Sequence, residues 1–355
     1  MRNSWFFGRI SSIMENIVKR NKILVVSAGY SFFTEPHVKA LTELGYNCLV
    51  FNYRSGIVYT NPYMRKALRV FPWIKVAKRF TIARTNKRLL ELVKEFKPEY
   101  LFSLKAENIT PETINKIRSM GIITMNFYND FINQWEGIVR IAPAYDYFFS
   151  PDHYVLKKLW GMGLKNSFYL PHAVETLFES SPFDKRENKY NISFIGSYNK
   201  ILYPNREKFL LAIKDLGLHV WGTDEWYETP LKDVFHGQSK GLERFDIYRK
   251  SKIVVDINWN NLPAEGINVR PFEVGYSGAC LFSDLVRADI KRVFNEGKEF
   301  VSFNNENELR QKIQYYLSHD SERETIARAC YEKIIKKHTY QARMREMFNI
   351  VNSVL

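Results

Sequence analysis

Cysteine is scarce: Cys48, Cys280 and Cys330 are the whole complement, far apart and odd in number. That is neither a disulfide framework nor a zinc signature, and it fits a reducing cytosol. Neither HExxH nor CxxC occurs, and no His/Asp cluster stands in their place, which argues against a zinc centre. No apolar run approaches the roughly 20 residues of a membrane span. The opening segment MRNSWFFGRISSIMENIVKRNK has short apolar stretches broken by Arg9, Glu15 and Lys19, with no small-residue cleavage site after them. It does not read as a signal peptide. Acid is absent from one long stretch: between Tyr63 and Leu90 stand nine Lys or Arg and no Asp or Glu.

What is present is a globular composition. The 355 residues are 45% hydrophobic, 25% charged and 15% aromatic, enough for two domains with real cores and against disorder. A net charge of +14 calls for anionic partners: nucleic acid, anionic lipid or anionic substrates. Residues 1–20 read as an amphipathic helix, with Trp5, Phe6, Ile10, Ile13, Met14 and Ile17 near helical spacing. Such a helix packs on its own protein or docks on a membrane surface. The basic stretch 63–90 carries Phe71, Trp73 and Ile74 among its cations. A solvated face accounts for the charge alone. An anionic membrane bearing a lipid-linked acceptor accounts for charge and aromatics together.

Short β-branched strands alternate with helical segments from Lys22 onward. Strand 22–27, helix 35–44 and strand 47–52 form a βαβ unit, which implies a parallel sheet. Further strands are expected at 99–103, 122–126, 145–150 and 167–170. Pro171-His172 and the polar stretch 180–189 read as a hinge. The pattern then restarts with strands at 191–195, 218–221, 253–257 and 279–283. Long helices are expected over 306–317 and 321–350. The expected fold is therefore α/β, two facing Rossmann-like domains with a cleft between them. The boundaries fall at 1–20 for the N-terminal helix, 21–170 for an acceptor domain and 171–335 for a donor domain. Residues 336–355 form a C-terminal helix able to cross back to the first domain. Ligands of such sheets bind at the carboxyl ends of the strands.

The segment Glu265-Gly-Ile-Asn-Val-Arg-Pro-Phe-Glu273 is the most informative. Pro271 suits a first helical turn and places Glu273 in it. A helix start is an anion site, and Arg270 beside it can neutralise a diphosphate by forked hydrogen bonds. Glu273 can accept two hydroxyl hydrogen bonds from a ribose. The bland alternative is that Glu273 only favours its helix dipole and pairs with Arg270.

This segment resembles the donor-site signature of GT-B glycosyltransferases, and within them the group similar to the spore maturation protein CgeB. Asn268, Arg270, Phe272 and Glu273 carry the likeness. Glu265 and Glu273 also have the EX7E spacing of many retaining members. The likeness extends to Ile195-Gly-Ser197 with Arg206, to Phe235-His-Gly237 and to His338-Thr-Tyr340. It covers some 150 to 180 C-terminal residues. The resemblance implies sugar transfer from a nucleotide-sugar co-substrate to a glycan or lipid-linked glycan, with no metal and no other cofactor. It implies that Glu273 holds the ribose, and that Arg270, Gly196, Ser197 and Arg206 meet the diphosphate. It puts His236 and Gly237 on the base side and Glu265 near the sugar. On the acceptor side, His37 at the start of the first helix and Asp130 at the end of a strand fall near the cleft, where either could be the general base of an inverting reaction. A GT-B epimerase or hydrolase and a non-catalytic basic binding protein share this pattern. Nucleic-acid binding explains the charge but not the Asn268–Glu273 constellation. The expected location is the cytoplasm, including the inner face of its membrane.

Overall fold

The computed structural model describes residues 22–29, 33–55, 73–184, 187–239, 241–258 and 263–354. The amphipathic segment 1–20 and the first part of the basic stretch, 63–72, lie outside these residues.

The first half is built on β1 (Lys22–Ser27), α1 (Thr34–Glu43), β2 (Asn47–Asn52), α2 (Trp73–Phe96), β3 (Tyr100–Leu104), α3 (Pro111–Arg118), β4 (Ile123–Phe127), α4 (Trp135–Ile141), β5 (Tyr147–Ser150), α5 (His153–Gly161) and β6 (Ser167–Tyr169). Its strands form one parallel sheet in the order β2-β1-β3-β4-β5-β6. Ile23, Leu24, Val25 and Val26 of β1 are all fully buried. A strand apolar on both faces needs helices on both faces, which the crossovers supply. Leu24 and Val26 face one core with Leu89 and Leu101, and Ile23 and Val25 face another with Leu41 and Phe102.

The second half follows with β7 (Tyr190–Ile195), α6 (Arg206–Leu211), β8 (Leu218–Trp221), α7 (Glu243–Arg249), β9 (Ser251–Asp256), α8 (Arg270–Tyr276), β10 (Cys280–Asp284), α9 (Ile290–Val293), β11 (Val301–Phe303), α10 (Glu306–Ser318), α11 (Asp320–Lys337) and α12 (Tyr340–Val354). Its parallel sheet has the order β11-β10-β9-β7-β8. From Pro271 onward α8 is wholly buried. Gly275 makes that possible: a Cβ there would stand 2.4 Å from Ile334 Cδ1 and 2.5 Å from Cys330 Sγ of α11.

The sequence reading differs from the structure in a few places. The expected single helix over 321–350 is broken at His338-Thr339, where Val174 N donates to His338 O and Tyr340 N donates to Val174 O. A backbone that pairs with a strand-like segment leaves the helical ladder, and the chain turns there. Helix α12 then lies on the first sheet, its Met344, Met347, Phe348 and Val351 in one core with Ile23 and Val25. Three short elements, α4, α9 and β11, had no clear periodic signal.

His37 sits in α1, 1% exposed, ringed by Phe33, Phe102, Phe127 and Tyr340. Burial pushes its pKa from 6.5 down to about 4, against a hydrogen bond to Phe33 O at 2.7 Å. A depressed imidazole contributes stability that is present above pH 6.5 and is lost as pH falls from 6.5 toward 4. His37→Gln should therefore shrink the loss of stability between pH 7.5 and pH 4.5 by about 2–3 kcal/mol. Denaturant titrations of both proteins at the two pH values measure this. An acid loss of the same size in the variant would contradict the assignment.

Candidate active site

The carboxyl ends of β7, β9 and β10 meet the start of α8. Between them is a cavity of about 480 Å³. Four arginines line it, Arg206, Arg244, Arg270 and Arg287, with one carboxylate, Glu273. Gly196, Asn258, Asn268, Tyr203 and Tyr248 are among the other wall residues from the second half, and Phe131 closes it from the first.

Each arginine is fixed differently. Arg270 Nη1 donates to Asp256 Oδ1, whose residue is fully buried. Burial works against the Arg270 charge, but Asp256 more than offsets it and holds the pKa above the ordinary range. Asp256 Oδ2 in turn accepts from Asn258 Nδ2 at 2.9 Å and Ser283 Oγ at 3.1 Å. Asn258 also donates to Asp284, from its backbone N at 2.8 Å and from Nδ2 at 3.0 Å. Burial and then Asp256 push Asp284 up to about 6. A charged, fully partnered network thus supports Arg270 from below.

Arg206 is 3% exposed. It donates from Nη1 to Ser197 O at 2.7 Å, and from Nε and Nη2 to Ile257 O at 3.2 and 3.0 Å. It therefore ties the end of β7 to the end of β9, and each terminal nitrogen keeps a second N–H. Burial and then Arg270 lower its pKa to about 9, so it stays cationic at neutral pH. Arg244 Nε donates to Glu273 Oε1 at 2.9 Å. Burial raises the Glu273 pKa against the pull of Arg244. Arg287 Nη1 donates to Ala264 O at 2.9 Å, and its guanidinium lies 5.4 Å from the Phe131 ring centroid.

The structure thus gathers Gly196, Arg206, Asn268, Arg270 and Glu273 around one cavity, with Ser197 bound to Arg206. Two local details depart from the sequence reading. Arg270 N is taken by Asn268 Oδ1 at 2.8 Å, and Phe272 N and Glu273 N by Val269 O, so the start of α8 spends these amides internally. The partner of Glu273 is Arg244, not Arg270. Arg244, Arg287, Asn258 and the carboxylates Asp256 and Asp284 were missed. The acid at the end of each of β9 and β10 was the available signal.

Other expected site residues stand elsewhere. Phe272 is fully buried in the core against Phe294 and His338. Its large apolar ring fills space between α8 and the helices outside it, and it does not line the cavity. His236 lies beside β8, its Nε2 2.7 Å from His219 Nδ1 and its ring stacked on Trp221. Gly237 follows it, its carbonyl accepting from Gly222 N. Neither lines the cavity. His37 is sealed among rings, as described above. Asp130 is held by Lys105 Nζ at 2.5 Å, and that lysine also reaches Glu107 at 3.0 Å.

Glu265 belongs to a clasp between the halves. It accepts from Lys157 Nζ of α5 at 2.6 Å. Asp152 Oδ1 caps α5 by accepting from Tyr154 N, and also accepts from Glu265 N at 3.0 Å and Gly266 N at 3.1 Å. His153 N donates to Asp289 Oδ2 at 3.0 Å beside them. This clasp sets the position of the 263–269 strap that forms one wall of the cavity. Gly266 is the point of closest approach: a Cβ there would stand 2.5 Å from Pro151 O and 2.9 Å from Asp152 Cα. Gly266→Ala is expected to push the strap off Asp152, costing about 1–3 kcal/mol of stability. Thermal unfolding measures it, and an unshifted Tm would show that the strap does not need this contact.

The family model described as glycosyl transferase-like matches residues 206–349. Comparison with curated protein sequences finds no match. Among solved structures, sucrose-phosphate synthase of Thermosynechococcus elongatus superposes with a TM-score of 0.67 at 10% identity, covering 94% of this chain and 99% of that one. HepE of Anabaena, solved in complex with UDP-glucose, gives 0.62 at 8% identity over 94% and 99%. A glycosyltransferase of Rickettsia africae gives 0.60 at 12% over 94% and 98%. Residues 206–349 thus resemble a glycosyl transferase-like family model, and the chain as a whole shares the two-domain GT-B architecture of these structures.

Proposed function

We propose that this chain moves a sugar from a nucleotide-sugar donor to a hydroxyl of a glycan or lipid-linked glycan, with the donor diphosphate among Arg206, Arg270 and Arg287. The observation that carries the reading is the cavity itself: four arginines and one buried carboxylate, at the carboxyl ends of a parallel sheet. In transfer, the bond from the anomeric carbon to the diphosphate oxygen breaks, and the acceptor oxygen bonds that carbon. The diphosphate leaves with the electron pair, and the acceptor's proton passes to the departing diphosphate oxygen. The guanidinium groups are already fixed by Asp256, Ser197, Ile257 and Ala264, so they meet the developing charge with little reorganisation. We expect turnover to survive metal chelation for that reason. Glu273, held by Arg244, is suited to accept hydroxyl hydrogen bonds from the ribose. The resemblance carried by Asn268, Arg270, Phe272 and Glu273 supports a CgeB-like member in this reading.

Because HepE was solved with UDP-glucose, uridine is the first base to test. With His37 sealed and Asp130 held by Lys105, retention of anomeric configuration is the outcome we favour. For the acceptor, α2 supports a lipid-linked substrate: Phe80 is 74% exposed beside exposed Arg79 and Arg84. The test is an assay of UDP release from UDP-sugars, with EDTA, with and without glycan and lipid-linked acceptors. Release that depends on acceptor supports transfer. Equal release without acceptor points to a hydrolase, and no release from any donor contradicts the reading.

A further inference from the structure

A second, larger cavity of about 920 Å³ lies at the joint between the halves, where β6, α11 and α12 meet. It shares no lining residue with the donor cavity. Its mouth carries Lys336, Lys337 and Arg345, all exposed, and no ion pair holds any of them among the described residues. The C-terminal end of α11 and the N-terminal end of α12 meet here, so their end charges offset and the side chains set the sign.

The floor is more specific. Arg343 is 2% exposed and His338 is 7% exposed. Arg343 Nη2 lies 2.7 Å from His338 Nδ1. A guanidinium only donates, so His338 Nδ1 accepts and its Nε2 carries the proton. Burial, with Arg343 next, lowers the His338 pKa to about 3, in keeping with this neutral tautomer. His338 Nε2, Arg343 Nε and Tyr169 Oη are then three buried donors with no hydrogen-bond partner. Such groups are costly to leave unmade. All three belong to residues that line this one cavity, beneath the three unpaired cations. Arg343 also donates from Nη1 to Glu346, the one carboxylate in the cavity lining, and from Nη2 to His172 O at 3.1 Å, in the segment linking the two sheets; the lining cations still outnumber that single acid.

We infer that this joint cavity is a second anion site, which takes a phosphate-bearing ligand on Lys336, Lys337 and Arg345 with Tyr169, His338 and Arg343 supplying donors at its floor. Phosphate oxygens are acceptors only, which matches a set of partnerless donors under a cluster of cations. A bound anion would bridge the first sheet to the kink between α11 and α12. The inference stands apart from the donor reading.

Calorimetric titration of the full chain with inorganic pyrophosphate at low salt tests it. Three proteins are compared: the unaltered chain, Lys336→Glu/Arg345→Glu and Arg270→Ala. The double variant alters exposed side chains, and thermal unfolding establishes that both variants are folded at the titration temperature, with Arg270→Ala/Asp256→Asn replacing Arg270→Ala if the latter is not. Binding weakened at least about tenfold in Lys336→Glu/Arg345→Glu but kept in Arg270→Ala supports the site. Phosphatidylglycerol vesicles in a parallel sedimentation arm separate the sources. Vesicle binding that needs Lys336 and Arg345 and is displaced by pyrophosphate assigns a lipid headgroup, and pyrophosphate binding without vesicle binding assigns a free phosphate ligand. Pyrophosphate binding that the double variant leaves unchanged, or no binding outside the donor cavity, overturns the inference.

Discussion

Arg270→Ala is expected to cost the fold about 3–5 kcal/mol and to abolish donor binding. The size follows from what the arginine leaves behind. Asp256 is fully buried, and Arg270 is the cation that compensates it. Asn258 Nδ2 and Ser283 Oγ donate to its other oxygen, but hydrogen bonds from neutral groups do not replace a buried countercharge. The adjacent Asp284, already raised to about 6, would feel Asp256 without the arginine's offsetting charge. Adding Asp256→Asn to Arg270→Ala should recover a large part of the lost stability while donor binding stays absent. Denaturant titration gives the first quantity and nucleotide calorimetry the second. Stability that the second change does not recover would mean that Asp256 is not the group Arg270 neutralises.

Glu273 carries the second large expectation. Glu273→Ala should lower nucleoside diphosphate affinity by between about tenfold and a hundredfold, the worth of hydrogen bonds to a charged acceptor. Glu273→Gln, which keeps an oxygen for Arg244, should fall between the two. The stability cost should be smaller than for Arg270→Ala, because Arg244 keeps 15% side-chain exposure and can be solvated when its partner is removed. Equal affinity in all three proteins would remove Glu273 from the ligand and leave it a structural partner of Arg244.

Much of this was legible in the sequence. The apolar run Ile23–Val26 announced a parallel sheet covered on both faces, and the restart near 191 announced a second sheet. Arg270 and Glu273 stood out because Pro271 suits a helix start, and Asn268 through the family resemblance; the structure sets all three around the cavity. Phe272 did not follow, since spacing within a motif does not say which way a ring points on a buried seven-residue helix. Glu265 has the right interval from Glu273, but the interval is blind to Lys157 and Asp152, which lie over a hundred positions earlier and hold the strap. Arg244 and Arg287 were invisible for the same reason: they reach the cavity from α7 and from the loop before α9, and nothing in their local sequence marks them. The break at His338 was hidden because its cause is Val174, a residue in the linker between the sheets.

The central claim is that the arginine-lined cavity binds a nucleoside diphosphate. Titration calorimetry of the purified chain with UDP, GDP, CDP and dTDP in EDTA tests it most directly, with Arg270→Ala and Glu273→Ala alongside. The account predicts one site, selective for one base with UDP first, lost in Arg270→Ala and weakened in Glu273→Ala. Failure of all four nucleotides to bind the folded chain, or binding indifferent to both substitutions, would contradict it.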